Sequence, residues 1–125
     1  FKPNTDDIRE APALVIIQRL LNAGAKVKVY DPEAMEAVKK YTSLDVTYAD
    51  SMYAAAVEVD ALLVITEWNE FRTPDLARLK TSMKAPLVFD GRNVYALKDM
   101  SDEGFVYYSV GRSAIGQTKN EADYA

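Results

Sequence analysis

Ala61-Leu62-Leu63-Val64-Ile65 is an unbroken apolar run held between Asp60 and Thr66. A run this short, with no polar alternation, predicts a strand covered on both faces, as in a parallel sheet. Parallel neighbours need a crossover rather than a hairpin, so helices should separate this strand from the next. The downstream sequence meets that demand. A helix is predicted over roughly Pro74 to Thr81 with Leu76 and Leu79 facing in, then a buried strand at Leu87-Val88-Phe89 and a last one at Phe105–Ser109.

Upstream the alternation continues. Leu14, Val15, Ile17, Leu20 and Leu21 recur at helical spacing between Glu10 and Ala23, with Pro12 suited to the first turn and Gly24 to the C′ position. Ala25–Tyr30 alternates like a strand and stops at Asp31-Pro32. A helix over Glu33–Tyr41, a short strand around Val46–Tyr48 and a helix from about Ser51 to Val57 complete the order. The polar tail from about Gln117 is predicted to carry no element.

Strands alternating with helices imply an α/β fold: three-layer, Rossmann-like and doubly wound, on a mostly parallel sheet. Such a sheet normally begins with its central strand, whereas here the first element is a helix. The expectation is that residues 1–125 form a single domain, a fragment of a larger protein that lacks its first central strand through truncation. Phe1–Asp7 would then be the loop following that strand.

Composition removes several functional classes. With no Cys and no His, this chain offers no thiolate nucleophile, no disulfide, no imidazole base and no ordinary zinc site, which excludes two large classes of catalysis, and no metal is expected. The net charge of −4, with Lys and Arg scattered, argues against a broad grip on nucleic acid. No apolar stretch is long enough to span a membrane, and a cytoplasmic setting is expected. Neither a Walker sequence nor a G-x-G-x-x-G fingerprint is present.

Ligands of open α/β sheets sit beyond the carboxyl ends of the strands. Four segments fall there: Phe1–Arg9, Asp31-Pro32, Thr66–Phe71 and Asp90-Gly91-Arg92-Asn93. In the first, Asp6 or Asp7 can cap the following helix and Arg9 can pair with a carboxylate; alternatively its cations face a ligand phosphate or carboxylate. Asp31 reads as a turn former before Pro32, because the glycine turn of a dinucleotide site is missing. Trp68 and Phe71 read as packing residues. Tyr107 and Tyr108 are neighbours on one strand, so one should face the core and the other a surface or partner.

Phe1–Pro12, reading F-K-P-N-T-D-D-I-R-E-A-P, resembles the segment that opens the C-terminal domain of the UDP-glucose/GDP-mannose dehydrogenase family. The likeness continues through Gly24–Val27, Tyr30-Asp31-Pro32, Thr66–Phe71 and Phe89–Asn93 to Tyr107–Arg112, so it covers nearly the whole chain in order. The opening is most similar to that of bacterial members acting on UDP-glucose. The resemblance implies a UDP-sugar-binding domain of an enzyme that oxidises the sugar's C6 alcohol to a carboxylate with two NAD⁺. NAD would be bound mainly by a preceding domain, the preceding part of the polypeptide would supply the catalytic cysteine, so that no residue of this chain is catalytic, and a central region would form a homodimer. It further implies that Phe1, Lys2 and Arg92 contact the UDP-sugar and that Arg9 reaches the NAD of the other domain. A GDP-mannose or UDP-N-acetylhexosamine dehydrogenase, or a non-catalytic nucleotide-binding module, are the alternatives.

Overall fold

The computed structural model describes residues 12–66 and 74–116. They fall into two compact units that divide between Ala55 and Ala56. Every pairing between strands of the described residues is parallel, as the uninterrupted apolar run predicted.

The first unit opens with α1 (Pro12–Asn22). Its end is a Schellman motif: Ala25 N–H donates to Leu20 O and Gly24 N–H to Leu21 O, with Gly24 at φ 89°. Ala13 and Ile17, one turn apart, are its buried residues, whereas Val15 is 57% exposed although it shares the helical spacing. β1 (Lys28–Val29) leads through α2 (Met35–Tyr41) to β2 (Thr47–Tyr48), pairing Lys28 with Thr47 and Val29 with Tyr48. Ala34 and Val38, at i and i+4, are fully buried and seat α2. α3 (Met52–Ala56) follows, with Ser51 Oγ accepting from Ala54 N–H at its start.

The second unit carries β3 (Leu62–Val64), α4 (Leu76–Ser82), β4 (Leu87–Asp90), α5 (Leu97–Asp102) and β5 (Val106–Ser109). The strands lie in the order β3-β4-β5. Asp75 caps α4 by accepting from Arg78 N–H at 3.1 Å, and Leu79 is its buried anchor. The short helix α5 has no counterpart in the sequence reading. Its apolar pair Leu97 and Met100 is too brief to show a period, and the fully buried Met100 fixes it to the core.

Register sorts the side chains of this sheet onto two faces. Val88 and Tyr107 share one face with Val64 and Asp90, and all four are buried. Leu63, Phe89 and Tyr108 line up on the other, where Phe89 stacks on Tyr108 at 5.2 Å between ring centroids. Leu63 is 36% and Phe89 41% exposed, so β3 and β4 are not covered on both faces as their apolar composition predicted. The strands are apolar on both sides, but among the described residues only one side is sealed.

After β5 the chain turns at Gly111 and returns along the outer edge, where Tyr107 and Ile115 exchange two backbone hydrogen bonds of 3.0 and 2.9 Å. This return satisfies an edge that would otherwise be open to another strand. It closes at Gly116, whose φ of 76° and close approach to Phe105 O leave no room for a side chain: a Cβ there would lie 2.9 Å from that oxygen.

Candidate functional site

The carboxyl end of β4 is built around one carboxylate. Asp90 is the last residue of the strand and only 2% exposed, on the sealed face of the sheet. A charge so placed needs several hydrogen bonds to offset its lost hydration, and Asp90 has four donors. Its Oδ1 accepts from Arg92 N–H at 2.9 Å. Its Oδ2 accepts from Val94 N–H at 2.7 Å, Tyr95 N–H at 3.2 Å and the Tyr107 hydroxyl at 2.6 Å. The Asp-Gly-Arg-Asn turn is therefore folded around the side chain of its own first residue.

The turn is fastened at two further points. Gly91 N–H donates to Val64 O at 2.9 Å, tying it to the end of β3. Asn93, at φ 54° in the left-handed region that Asn tolerates better than most residues, exchanges bonds with the backbone of Val110. Its Nδ2 donates to Val110 O at 3.0 Å and its Oδ1 accepts from Val110 N–H at 3.1 Å. The loop after β4 is thus stitched to the loop after β5, while Gly91, Arg92 and Asn93 themselves are exposed.

Arg112 closes the arrangement from the second loop. Its Nε donates to Ser109 Oγ at 2.9 Å, Nη1 to Tyr95 O at 3.0 Å and Nη2 to the Tyr107 hydroxyl at 2.7 Å. The Tyr107 hydroxyl has one proton and two acceptors in reach: Asp90 at 2.6 Å and Tyr95 O at 3.3 Å. The charged, nearer acceptor takes it, and the oxygen is left to receive Arg112. The result is a neutral relay, guanidinium to hydroxyl to carboxylate to the backbone of Arg92. Burial, reinforced by the bond to Asp90 and by its charge, pushes the Tyr107 hydroxyl up from 10.0 to about 12, while Arg112 pulls in the opposite direction.

Backbone amides at strand-to-helix turns are the usual cradle for phosphate in this architecture. Three such turns lie in the described residues, and each turns its amides on a side chain of its own. After β1, Asp31 Oδ1 accepts from Glu33 and Ala34 N–H, both at 2.9 Å. After β2, Ser51 Oγ accepts from Ala54 N–H, and after β4 Asp90 takes three amides. An anion bound beside these turns would be gripped by side chains, with Arg92 the exposed cation at the β4 end. Among the described residues no group of His, Cys, Asp or Glu could hold a metal ion, and no helix is long and apolar enough to cross a membrane.

Of the site residues read from the sequence, Arg92 lies on this turn, whereas Phe1, Lys2 and Arg9 fall outside the described residues. Trp68 and Phe71 also lie outside them. Asp31 is the turn former that its place before Pro32 suggested, and Tyr107 is the inward member of its pair, fully buried. The sequence reading did not find the relay. Its one visible trace was Tyr107–Arg112, the last segment of the family likeness, with no role attached to the arginine.

The family model for the "UDP-glucose/GDP-mannose dehydrogenase family, UDP binding domain" matches residues 1–97. The chain is 51% identical over 112 residues to a UDP-glucose 6-dehydrogenase of Rhizobium meliloti, covering 90% of this chain and 25% of that protein. It is 43% identical over 127 residues to the enzyme of the same name from Pseudomonas aeruginosa, covering 98% of this chain and 28% of that protein. Among solved structures it superposes on the NDP-N-acetyl-D-galactosaminuronic acid dehydrogenase of Methanosarcina mazei with a TM-score of 0.75 and 27% identity, covering 90% of this chain and 23% of that one. The chain therefore spans about a quarter of the length of the relatives it matches.

Proposed function

The chain belongs to the UDP-glucose/GDP-mannose dehydrogenase family, and from that premise we propose that it is the UDP-sugar-binding domain of a UDP-glucose 6-dehydrogenase. In this reading residues 1–125 are one C-terminal domain of a longer polypeptide that oxidises UDP-glucose to UDP-glucuronate with two NAD⁺. The observation that carries it is the Asp90–Asn93 turn, which sets an exposed arginine on a backbone held by four N–H hydrogen bonds between Gly91 and Tyr95 at the carboxyl end of a parallel strand. That is where an open α/β sheet takes its ligand, and a guanidinium fork suits a diphosphate or sugar oxygens.

Arg92, with Phe1 and Lys2, is assigned to the UDP-sugar. Their work is binding, not bond-breaking: holding the nucleotide handle places the sugar's C6 where groups elsewhere in the polypeptide act on it. The described residues do not fit the dinucleotide cofactor, because no glycine-rich turn is present and the amides of the three strand-to-helix turns are engaged internally. NAD is accordingly assigned to the preceding domain, with Arg9 reaching towards it from this one. The catalytic cysteine and the homodimer contacts are assigned to the preceding regions too, and the cytoplasm is the proposed compartment. Two solved relatives carry N-acetylhexosamine names, at 26–27% identity. The 51% match to a UDP-glucose enzyme favours glucose over that alternative and over GDP-mannose.

The test is NAD reduction by the intact polypeptide against UDP-glucose, GDP-mannose and a UDP-N-acetylhexosamine. UDP-glucose should give the highest kcat/KM, and a preference for either other sugar nucleotide would overturn the reading. Arg92→Ala should weaken UDP-glucose binding by about 2–4 kcal/mol, the usual cost of breaking a desolvated charged contact.

A further inference from the structure

Arg112 carries the second cation of this region, yet its geometry is that of a residue already spoken for. Nε, Nη1 and Nη2 each donate to an acceptor within the protein, at 2.9, 3.0 and 2.7 Å. Those acceptors belong to Ser109 and Tyr107 on β5 and to Tyr95 just past the Arg92 turn. A guanidinium spent in this way fixes structure; it is not a hand held out to a ligand.

What it fixes is the turn that carries Arg92. Nη2 bonds the Tyr107 hydroxyl, that hydroxyl bonds Asp90 Oδ2, and Asp90 Oδ1 holds the backbone N–H of Arg92. We infer that Tyr107 and Arg112 are positioning residues for the sugar nucleotide, acting on it through Asp90 and the backbone of Arg92 without touching it. The inference rests on the proposed role of Arg92 and extends that role to two residues which nothing in the sequence assigned. Gly91, Arg92 and Asn93 are exposed and lie between strand and helix, so without an internal strut they would sample other conformations. Ordering them on binding would lower affinity, and ordering them in advance removes that cost.

Two features set this strut apart from ordinary packing. The first is its charge balance: a hydroxyl joins a cation to an anion, so loss of any one member leaves the other two mispaired. The second is its direction, because Arg112 reaches Tyr95 O directly and, through Tyr107 and Asp90, the backbone N–H of Arg92. Lysine at position 112 could not reproduce the strut, since one ammonium cannot meet three acceptors spread around a planar fork.

The experiment is a double-substitution cycle in the intact polypeptide, read by calorimetric titration with UDP. Tyr107→Phe and Arg112→Lys are each made alone and combined with Arg92→Ala. With Arg92 present, each should lower UDP affinity about 5- to 10-fold, leave kcat at saturating UDP-glucose and the KM for NAD unchanged, and raise the KM for UDP-glucose in step. With Arg92 already removed, neither should change UDP affinity by more than about 2-fold, because there is nothing left to position. Equal losses in both backgrounds would show a general structural effect and overturn the inference. A normal Arg92→Ala loss alongside silent Tyr107→Phe and Arg112→Lys would reject the strut while leaving the role of Arg92 intact. An Arg92→Ala protein that binds UDP normally would reject both. Should Tyr107→Phe not fold, Arg112→Lys carries the test by itself, since it leaves the core ring in place.

Discussion

Replacing Asp90 with asparagine keeps the shape of the side chain and removes its charge and half of its acceptor capacity. Asp90 receives one donor at Oδ1, from Arg92, and three at Oδ2, from Val94, Tyr95 and Tyr107. The asparagine oxygen would take the Oδ2 position, because the reverse orientation points an NH₂ at two backbone N–H groups. Arg92 N–H then faces an NH₂ donor and loses its partner, while the remaining three bonds weaken from charge-assisted to neutral. Losing one charge-assisted bond costs about 1.5–3 kcal/mol, and weakening the others brings the total to about 2–4 kcal/mol. For a chain of 125 residues this corresponds to a fall in Tm of roughly 6–20 °C, from the scaling of unfolding entropy with length. Urea unfolding followed by circular dichroism gives the free energy directly, with Asp31→Asn as a carboxylate-to-amide control elsewhere in the chain. Asp31 Oδ1 accepts from Glu33 and Ala34 N–H, and an amide oxygen in its place can keep both of these bonds. A loss at Asp90 below about 0.5 kcal/mol, within the range of ordinary surface changes, would refute the claim that the turn is folded around this carboxylate.

Stability should decline between about pH 10 and about 12, because the unfolded chain releases its tyrosine protons first while folded Tyr107 holds its own to about 12. The contribution is fully present below the ordinary tyrosine value and lost as pH rises through the folded one; phenolate absorbance should show a late-titrating component that Tyr107→Phe removes. Gly116→Ala should cost about 1–3 kcal/mol, since φ is 76° and the new Cβ would meet Phe105 O at 2.9 Å. Gly24→Ala, at φ 89° with nothing within 4 Å, should cost only the conformational part, about 1 kcal/mol, and equal losses at both sites in urea unfolding would reject the steric argument. Asp31→Ala removes the acceptor for Glu33 and Ala34 N–H and should destabilise by about 0.5–2 kcal/mol in the same assay, as loss of a helix cap does.

The parts legible from sequence are those in which a residue's neighbours along the chain decide its role. Gly24 ends α1 and Asp31 turns the chain into α2 because each acts within four residues of itself. β3 and β4 were visible as apolar runs, but apolar content says which residues avoid water and not which faces are sealed. Leu63 and Phe89 show the difference, being as apolar as Val64 and Val88 and yet partly exposed. The α5 helix escaped because six residues with two apolar positions cannot display a period. The relay escaped for a plainer reason: Asp90, Tyr95, Tyr107 and Arg112 span 23 residues and meet only through the pairing of β4 with β5.

That pairing also explains why the relay belongs where it is. Asp90 and Tyr107 lie on the same face of neighbouring parallel strands, two positions apart in register, within reach of a long side chain. A carboxylate at the carboxyl end of a buried strand can do one of two things with the amides that follow it. It can leave them open, in which case an anion such as phosphate binds to backbone and sequence matters little. Or it can occupy them itself, as Asp90 does with Arg92, Val94 and Tyr95, so that it repels anions at its own position and hands recognition to whatever side chain the turn displays. At this turn the second arrangement leaves recognition to a displayed side chain, the role proposed for Arg92. It is also stable only if the buried charge is balanced from below, which is the place Tyr107 and Arg112 fill. On this view the cation that binds and the cation that supports are consequences of one choice, the carboxylate at position 90.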